Sequence, residues 1–159
     1  MNIIEQLMVE HSALRLHFRF ARESSDSNSI YDLEEFVRKC HARIEDEIVF
    51  PKLQEQTAPK QSLSRLEADH KLINTIGDQI KLRTSTGELD TLKKRVALYM
   101  TTVESHNSGE ESLVFPYWNV SRTEEHELAS KALRIIQEFG LNRYLELTGI
   151  SQKLLERVD

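Results

Sequence analysis

One eleven-residue pattern occurs twice in this chain, identical at its His, Glu, Val, Phe and Pro. His41-Ala-Arg-Ile-Glu45-Asp-Glu-Ile-Val49-Phe50-Pro51 returns as His106-Asn-Ser-Gly-Glu110-Glu-Ser-Leu-Val114-Phe115-Pro116, at a constant offset of 65 positions. The two His-x-x-x-Glu pairs carry little weight alone, because composition yields about 0.7 such pairs by chance. Val-Phe-Pro following both at the same distance has a chance of about 4 in 100,000, so the repeat is real. A second pair of segments matches as well, Ile4-Leu7-His11-Leu14 against Leu63-Leu66-His70-Ile73. The chain is therefore a helix pair used twice, and its fold must place four related helices around one axis.

The helical reading rests on period. Ile4, Leu7, His11, Leu14, Phe18 and Ala21 recur at steps of three and four, which is one face of a first amphipathic helix over residues 3–22. After the Ser-rich stretch Ser24 to Ser29, a second helix is predicted with Ser29 as N-cap, its apolar side being Leu33, Val37, Cys40, Ile44 and Ile48. Pro51 is expected to close or kink it. Thr57, Ala58 and Pro59 read as a loop. A third helix follows from about Ser62 to Arg83, and a fourth from near Gly87 to Pro116, with Leu89, Leu92, Val96, Tyr99, Val103, His106, Glu110 and Leu113 on one seam. Ser121 with Glu124 is a capping box for a shorter fifth helix, stopped by Gly140. Five Gly and three Pro in 159 residues leave few breakers. The expected class is all-α: an antiparallel four-helix bundle over residues 1–118, with short C-terminal helices over 119–159 packed on the same domain.

Polar residues interrupt the apolar seams at matching places. A residue and its partner four positions on lie one above the other, so each His-x-x-x-Glu aims an imidazole and a carboxylate at the same point. The first and third helices add one inward His each. His11, His41, Glu45, His70, His106 and Glu110 would thus converge on the bundle axis as four nitrogen donors and two anionic oxygen donors. Left without partners there, they would cost roughly 1–3 kcal/mol each. Metal ions remove that cost. Two metals would each receive two nitrogens and two carboxylate oxygens, with positions left for an oxo or hydroxo bridge and a small ligand. Iron or manganese suits this donor set, and zinc could occupy it. Glu47 and Glu111, one position away, could compete for the ligand role, but the repeat favours Glu45 and Glu110. The rival reading is a polar core network that sets bundle register without metal.

Other candidates have plainer readings. His17 lies about 120° off the His11 face and is expected at the rim or surface; His126 falls in the first turn of the fifth helix and is expected exposed. Cys40 sits on the apolar stripe as a packed thiol. Tyr99 is a core residue two turns from His106 or lines a pocket. Gly77 and Gly109 leave room for a small ligand or for close helix approach. Phe50, Phe115 and Trp118 read as core.

Charge and hydropathy exclude several classes. With 21 basic and 26 acidic side chains the net charge is −5 and no like-charge block stands out, so a nucleic-acid partner is not expected. No uncharged run is long enough to span a bilayer, and Glu5 and Glu10 break any secretory apolar run at the N-terminus. One cysteine forms no internal disulfide. The expected location is the cytoplasm.

On these residues the chain resembles the haemerythrin-like, or HHE cation-binding, family, over about Ile3 to Trp118. The order His, His-x-x-x-Glu, His, His-x-x-x-Glu looks most like the His4Glu2 subgroup. The resemblance implies a four-helix bundle holding a non-haem di-iron centre, with His11, His41, Glu45, His70, His106 and Glu110 as ligands. It also implies a small oxidant as partner: oxygen, nitric oxide or hydrogen peroxide, in sensing or stress protection. The alternative it implies is a non-catalytic iron sensor or an iron donor for iron-centre repair. The chain departs from the oxygen carriers, with Asn74 where they place a fifth His and Glu111 where they place an Asp.

Overall fold

A computed structural model describes residues 1–24 and 28–156. The described residues form helices and turns without strands. They comprise α1 (Ile3–Ser24), α2 (residues 28–54), α3 (Lys60–Thr86), α4 (Leu89–Leu113), α5 (Arg122–Phe139), α6 (Leu141–Thr148) and α7 (Gln152–Leu155). No helix of the described residues is long and apolar enough to cross a membrane.

Ion pairs across the helix boundaries fix the antiparallel order. Arg15 meets Glu111 and Arg22 meets Glu104, so α1 runs against α4. Lys81, Asp78 and His70 of α3 meet Glu34, Arg38 and Asp46 of α2 in reversed order. α3 turns back into α4 at Gly87, whose φ of 73° is left-handed backbone that a side chain would strain. Between the helices, Leu7, Leu14, Phe18, Leu33, Ile44, Leu63 and Val103 are sealed from solvent.

Local signals explain the boundaries. The Asn2 side chain accepts from the Glu5 amide while Glu5 accepts from the Asn2 amide, a reciprocal cap on α1. Ser121 and Glu124 form the expected capping box on α5, and Gly140, at φ 119°, ends that helix. The second helix differs from its expected start: it already runs at Asn28, so Ser29 lies inside it rather than capping it. Residues 25–27 of the Ser-rich stretch fall outside the described residues.

Pro51 does not end α2, which continues to Gln54. Two of its turns, Val37–His41 and Glu45–Val49, are π-helical: the Ala42 amide bonds the Val37 carbonyl and the Phe50 amide bonds the Glu45 carbonyl. This wider winding brackets His41 and Glu45 and gives the proline ring room. The second copy of Val-Phe-Pro behaves differently. There α4 stops at Leu113 and Phe115–Tyr117 form one 3-10 turn.

α2 is buried on more than one face, with Phe36, Ala42, Val49 and Phe50 inside as well as the expected seam. α5 lies over its outer side and α6 over α1. Arg143 stands over the Phe139 ring and binds Asp32 and Glu35 of α2. The half-buried His17 meets the Leu147 carbonyl at 2.8 Å, so it fastens α6 to α1 rather than facing water.

Candidate metal centre

All six side chains singled out by their spacing are brought together in the middle of the bundle. His11 comes from α1, His41 and Glu45 from α2, His70 from α3, His106 and Glu110 from α4, and the most open of them, His70, is 5% exposed. They form two overlapping groups: His11, His41, Glu45 and Glu110, and Glu45, His70, His106 and Glu110, with the potential ligand atoms of each within 4.8 Å of one another.

The two carboxylates are shared atom by atom. Glu45 Oε1 lies 3.1 Å from His41 Nε2 and 3.6 Å from His11 Nε2, while its Oε2 lies 3.1 Å from His70 Nε2 and 4.0 Å from His106 Nε2. Glu110 turns Oε2 to His11 Nε2 at 3.4 Å and Oε1 to His106 Nε2 at 3.3 Å. Each half of the cluster thus has two imidazole nitrogens and one oxygen from each glutamate.

The far nitrogens of three rings hydrogen-bond to a second layer of carboxylates, and the fourth faces one just beyond hydrogen-bond range, a layer which the sequence reading missed. Each acid comes from the preceding helix around the bundle. His41 Nδ1 donates to Glu10 of α1 at 2.7 Å, and His70 Nδ1 to Asp46 of α2 at 2.7 Å. Asp69 of α3 stands 3.6 Å from His106 Nδ1, and His11 Nδ1 donates to Glu111 of α4 at 2.8 Å. A carboxylate on Nδ1 keeps the proton there and leaves the Nε2 lone pair facing inward. The signal was adjacency: Glu10-His11, Glu45-Asp46, Asp69-His70 and Glu110-Glu111 each pair a central residue with an acid. Glu111 is therefore an outer partner, also held by Arg15, and Glu47 is exposed and paired with Arg43.

The repeated phenylalanines are more than core filler. Phe50 stacks on His70 with ring centres 5.4 Å apart, and Phe115 stacks on His11 at 5.7 Å. Each copy of Val-Phe-Pro thus screens the lone His of the next helix. Gly77 and Gly109 serve close approach: a methyl group on Gly77 would meet Glu34 Oε1 at 2.6 Å, and one on Gly109 would meet Leu66 at 3.3 Å. Cys40 is sealed in the core, where burial pushes its thiol well above the ordinary range. Tyr99 packs edge-on against Phe18. Trp118, partly buried, donates to Glu125, and His126 is exposed.

Without a cation the centre is under electrostatic stress. His11 Nε2, His41 Nε2 and all four oxygens of Glu45 and Glu110 are buried with no hydrogen-bond partner among the described residues. His70 Nε2 and His106 Nε2 sit 2.9 Å apart, where two lone pairs repel unless a proton or a cation lies between them. Burial alone would lower the pKa of His11, but Glu110 and Glu45 overcome it and hold it at about 10. The same balance raises His106 to about 10, and Asp46 and Glu45 raise His70 to about 9. Burial would raise Glu45, yet the surrounding imidazoles hold it well below the usual carboxylate range. Cations in the two halves would satisfy every one of these orphaned atoms, so the residues present fit a metal centre.

A helical bundle whose axis carries two shared carboxylates and four histidines defines a metal-binding class of protein. The family described as the Hemerythrin HHE cation binding domain matches residues 2–118, and the chain belongs to it. The chain is also similar to uncharacterized proteins of Mycobacterium bovis and Mycobacterium tuberculosis, each 27% identical over 131 residues, covering 70% of this chain and 51% of theirs. It spans about half the length of these curated relatives. No solved structure matches it.

Proposed function

We propose that the chain holds a non-haem di-iron centre of the His4Glu2 kind that binds or reacts with a small oxidant, oxygen, nitric oxide or hydrogen peroxide, in sensing or stress protection. The observation that carries this reading is the sharing of Glu45 and Glu110, which offers each of two metal positions four protein atoms and leaves room in the coordination sphere of iron for a small ligand. Bound iron would supply reversible one-electron chemistry. The chain's residues do the rest: Glu45 and Glu110 hold the pair together, the outer acids keep the Nε2 lone pairs inward, and Phe50 and Phe115 keep water out. Four His against two carboxylates reverses the donor ratio of ferritin-like oxygenases, which favours reversible binding or peroxide chemistry over attack on an organic substrate. The test is the visible spectrum of iron-loaded protein, recorded anaerobically and after each oxidant separately. A spectral change with at least one supports the reading, and inertness to all three sinks it.

One observation favours a second reading, a non-catalytic iron sensor or iron donor. The outer acid of His41 is bonded to α6, so loss of metal would be felt by the C-terminal helices. Iron removal should then lower thermal stability and open α5–α6 to protease; unchanged stability and cleavage would count against it.

A further inference from the structure

We propose that Tyr144 of α6 is a positioning residue for His41 and that it makes the two metal positions inequivalent. The proposal rests on the dinuclear reading above. Its geometry is a chain of hydrogen bonds from outside the bundle to the centre. The Tyr144 hydroxyl donates to Glu10 Oε1 at 2.5 Å, Gln6 Nε2 donates to the same oxygen at 2.9 Å, and Glu10 Oε2 accepts from His41 Nδ1 at 2.7 Å. Both carboxylate oxygens are thus committed to the protein. Tyr144, in turn, is fully buried, with its ring 6.1 Å from that of Phe36.

The other three outer acids are not held in this way. Side-chain exposure is 24% for Glu111, 48% for Asp46 and 29% for Asp69, against 0% for Glu10. Water can compete for the first three, and Glu111 is held only by the part-exposed Arg15 besides its histidine. Glu10 is dry, and only protein donors set its place. Burial and the Glu10 charge also hold the Tyr144 phenol well above its ordinary pKa, so it stays an O–H donor. The internal repeat stresses the difference. Asp69 is the counterpart of Glu10 in the third helix, yet it lies 3.6 Å from His106 Nδ1, beyond hydrogen-bond range. Two halves that the repeat makes alike are therefore set apart by α6, which lies beyond the family match ending at residue 118. A stiffly oriented His41 should strengthen the His11/His41 position and leave the His70/His106 position as the bundle alone would make it.

The test is an anaerobic ferrous-iron titration against a competing chelator, with wild type, Tyr144→Phe, Glu10→Gln and the double variant. Tyr144→Phe keeps the ring and removes one hydroxyl. Wild type should take up two ions, and Tyr144→Phe should bind one of them unchanged and the other about tenfold more weakly, the low end for loss of an outer partner. Glu10→Gln should weaken the same ion, and the double variant should be no worse than Glu10→Gln alone, because both act through one chain. Equal weakening of both ions, unchanged binding, or strict additivity would overturn the proposal and leave the dinuclear reading standing. Fewer than two ions in wild type would overturn both. Tyr144→Leu separates packing from positioning: if it weakens the one ion no more than Tyr144→Phe does, the hydroxyl alone carries the effect, whereas a loss in Tyr144→Leu with none in Tyr144→Phe would make Tyr144 a packing residue only.

Discussion

The metal-free protein should lose stability as the solution becomes mildly alkaline, and the metal-loaded protein should not. His11, His70 and His106 are raised from about 6.5 to about 10, 9 and 10 by the carboxylates around them. A raised basic group contributes stability that is fully present below the unfolded value and is lost as pH rises through the folded value. Glu45, lowered below 4.5, contributes above that value and loses its contribution on acidification. The metal-free optimum therefore lies between about 4.5 and 6.5, below neutral pH. Each proton kept by the native state and lost by the unfolded chain is worth about 1.4 kcal/mol per pH unit, so one such proton costs about 2 kcal/mol between pH 7 and 8.5. Three histidines set a ceiling of about 4 kcal/mol per pH unit, a large share of a domain's total stability. Metal on the Nε2 nitrogens displaces those protons, so the advantage of the loaded form should widen with pH. Urea unfolding of chelator-stripped and zinc-loaded protein at pH 6, 7, 8 and 8.5, followed by circular dichroism, measures both slopes. A metal-free stability that is flat or rising between pH 7 and 8.5 would refute the reasoning.

Three further outcomes follow from single contacts. Asp46→Asn should weaken metal binding by about tenfold, whereas Glu47→Gln, one residue on and paired with Arg43, should leave a competitive titration unchanged. Phe50→Ala removes a fully buried ring stacked on His70 and should lower the free energy of unfolding by about 3–5 kcal/mol in a urea titration. Gly77→Ala should destabilise by about 1 kcal/mol despite alanine's better helix propensity, because Glu34 is pinned by Arg38 and Lys81 and cannot yield; a rise in melting temperature would contradict this.

The bundle and its six central residues were legible because both follow from helical period. Apolar residues three and four apart define a face, and His or Glu on such a face must meet the other helices at the axis. The repeat then selected Glu45 over Glu47 and Glu110 over Glu111, which period alone does not do. What escaped was set across helices. Glu10, Asp46, Asp69 and Glu111 look like ordinary surface acids in a chain that is 30% charged, and each serves a histidine on its neighbour. The π turns of α2 left only a faint trace in two successive apolar steps of four, Cys40 to Ile44 to Ile48. Phe36 lies off that seam, and its ring packs against Phe139 of α5, the second layer that covers α2. Tyr144 acts on a residue 134 positions away, and no local pattern announces it.

The central claim is that Glu45 and Glu110 are shared by two metal ions. Iron per chain, measured on wild type and on Glu45→Ala purified from iron-supplied cells, tests it most directly. The account predicts about two irons in wild type and loss of both in the variant, because each half of the cluster takes one oxygen from Glu45. Less than one iron in wild type with the bundle intact, or a variant that keeps one full site, would contradict it.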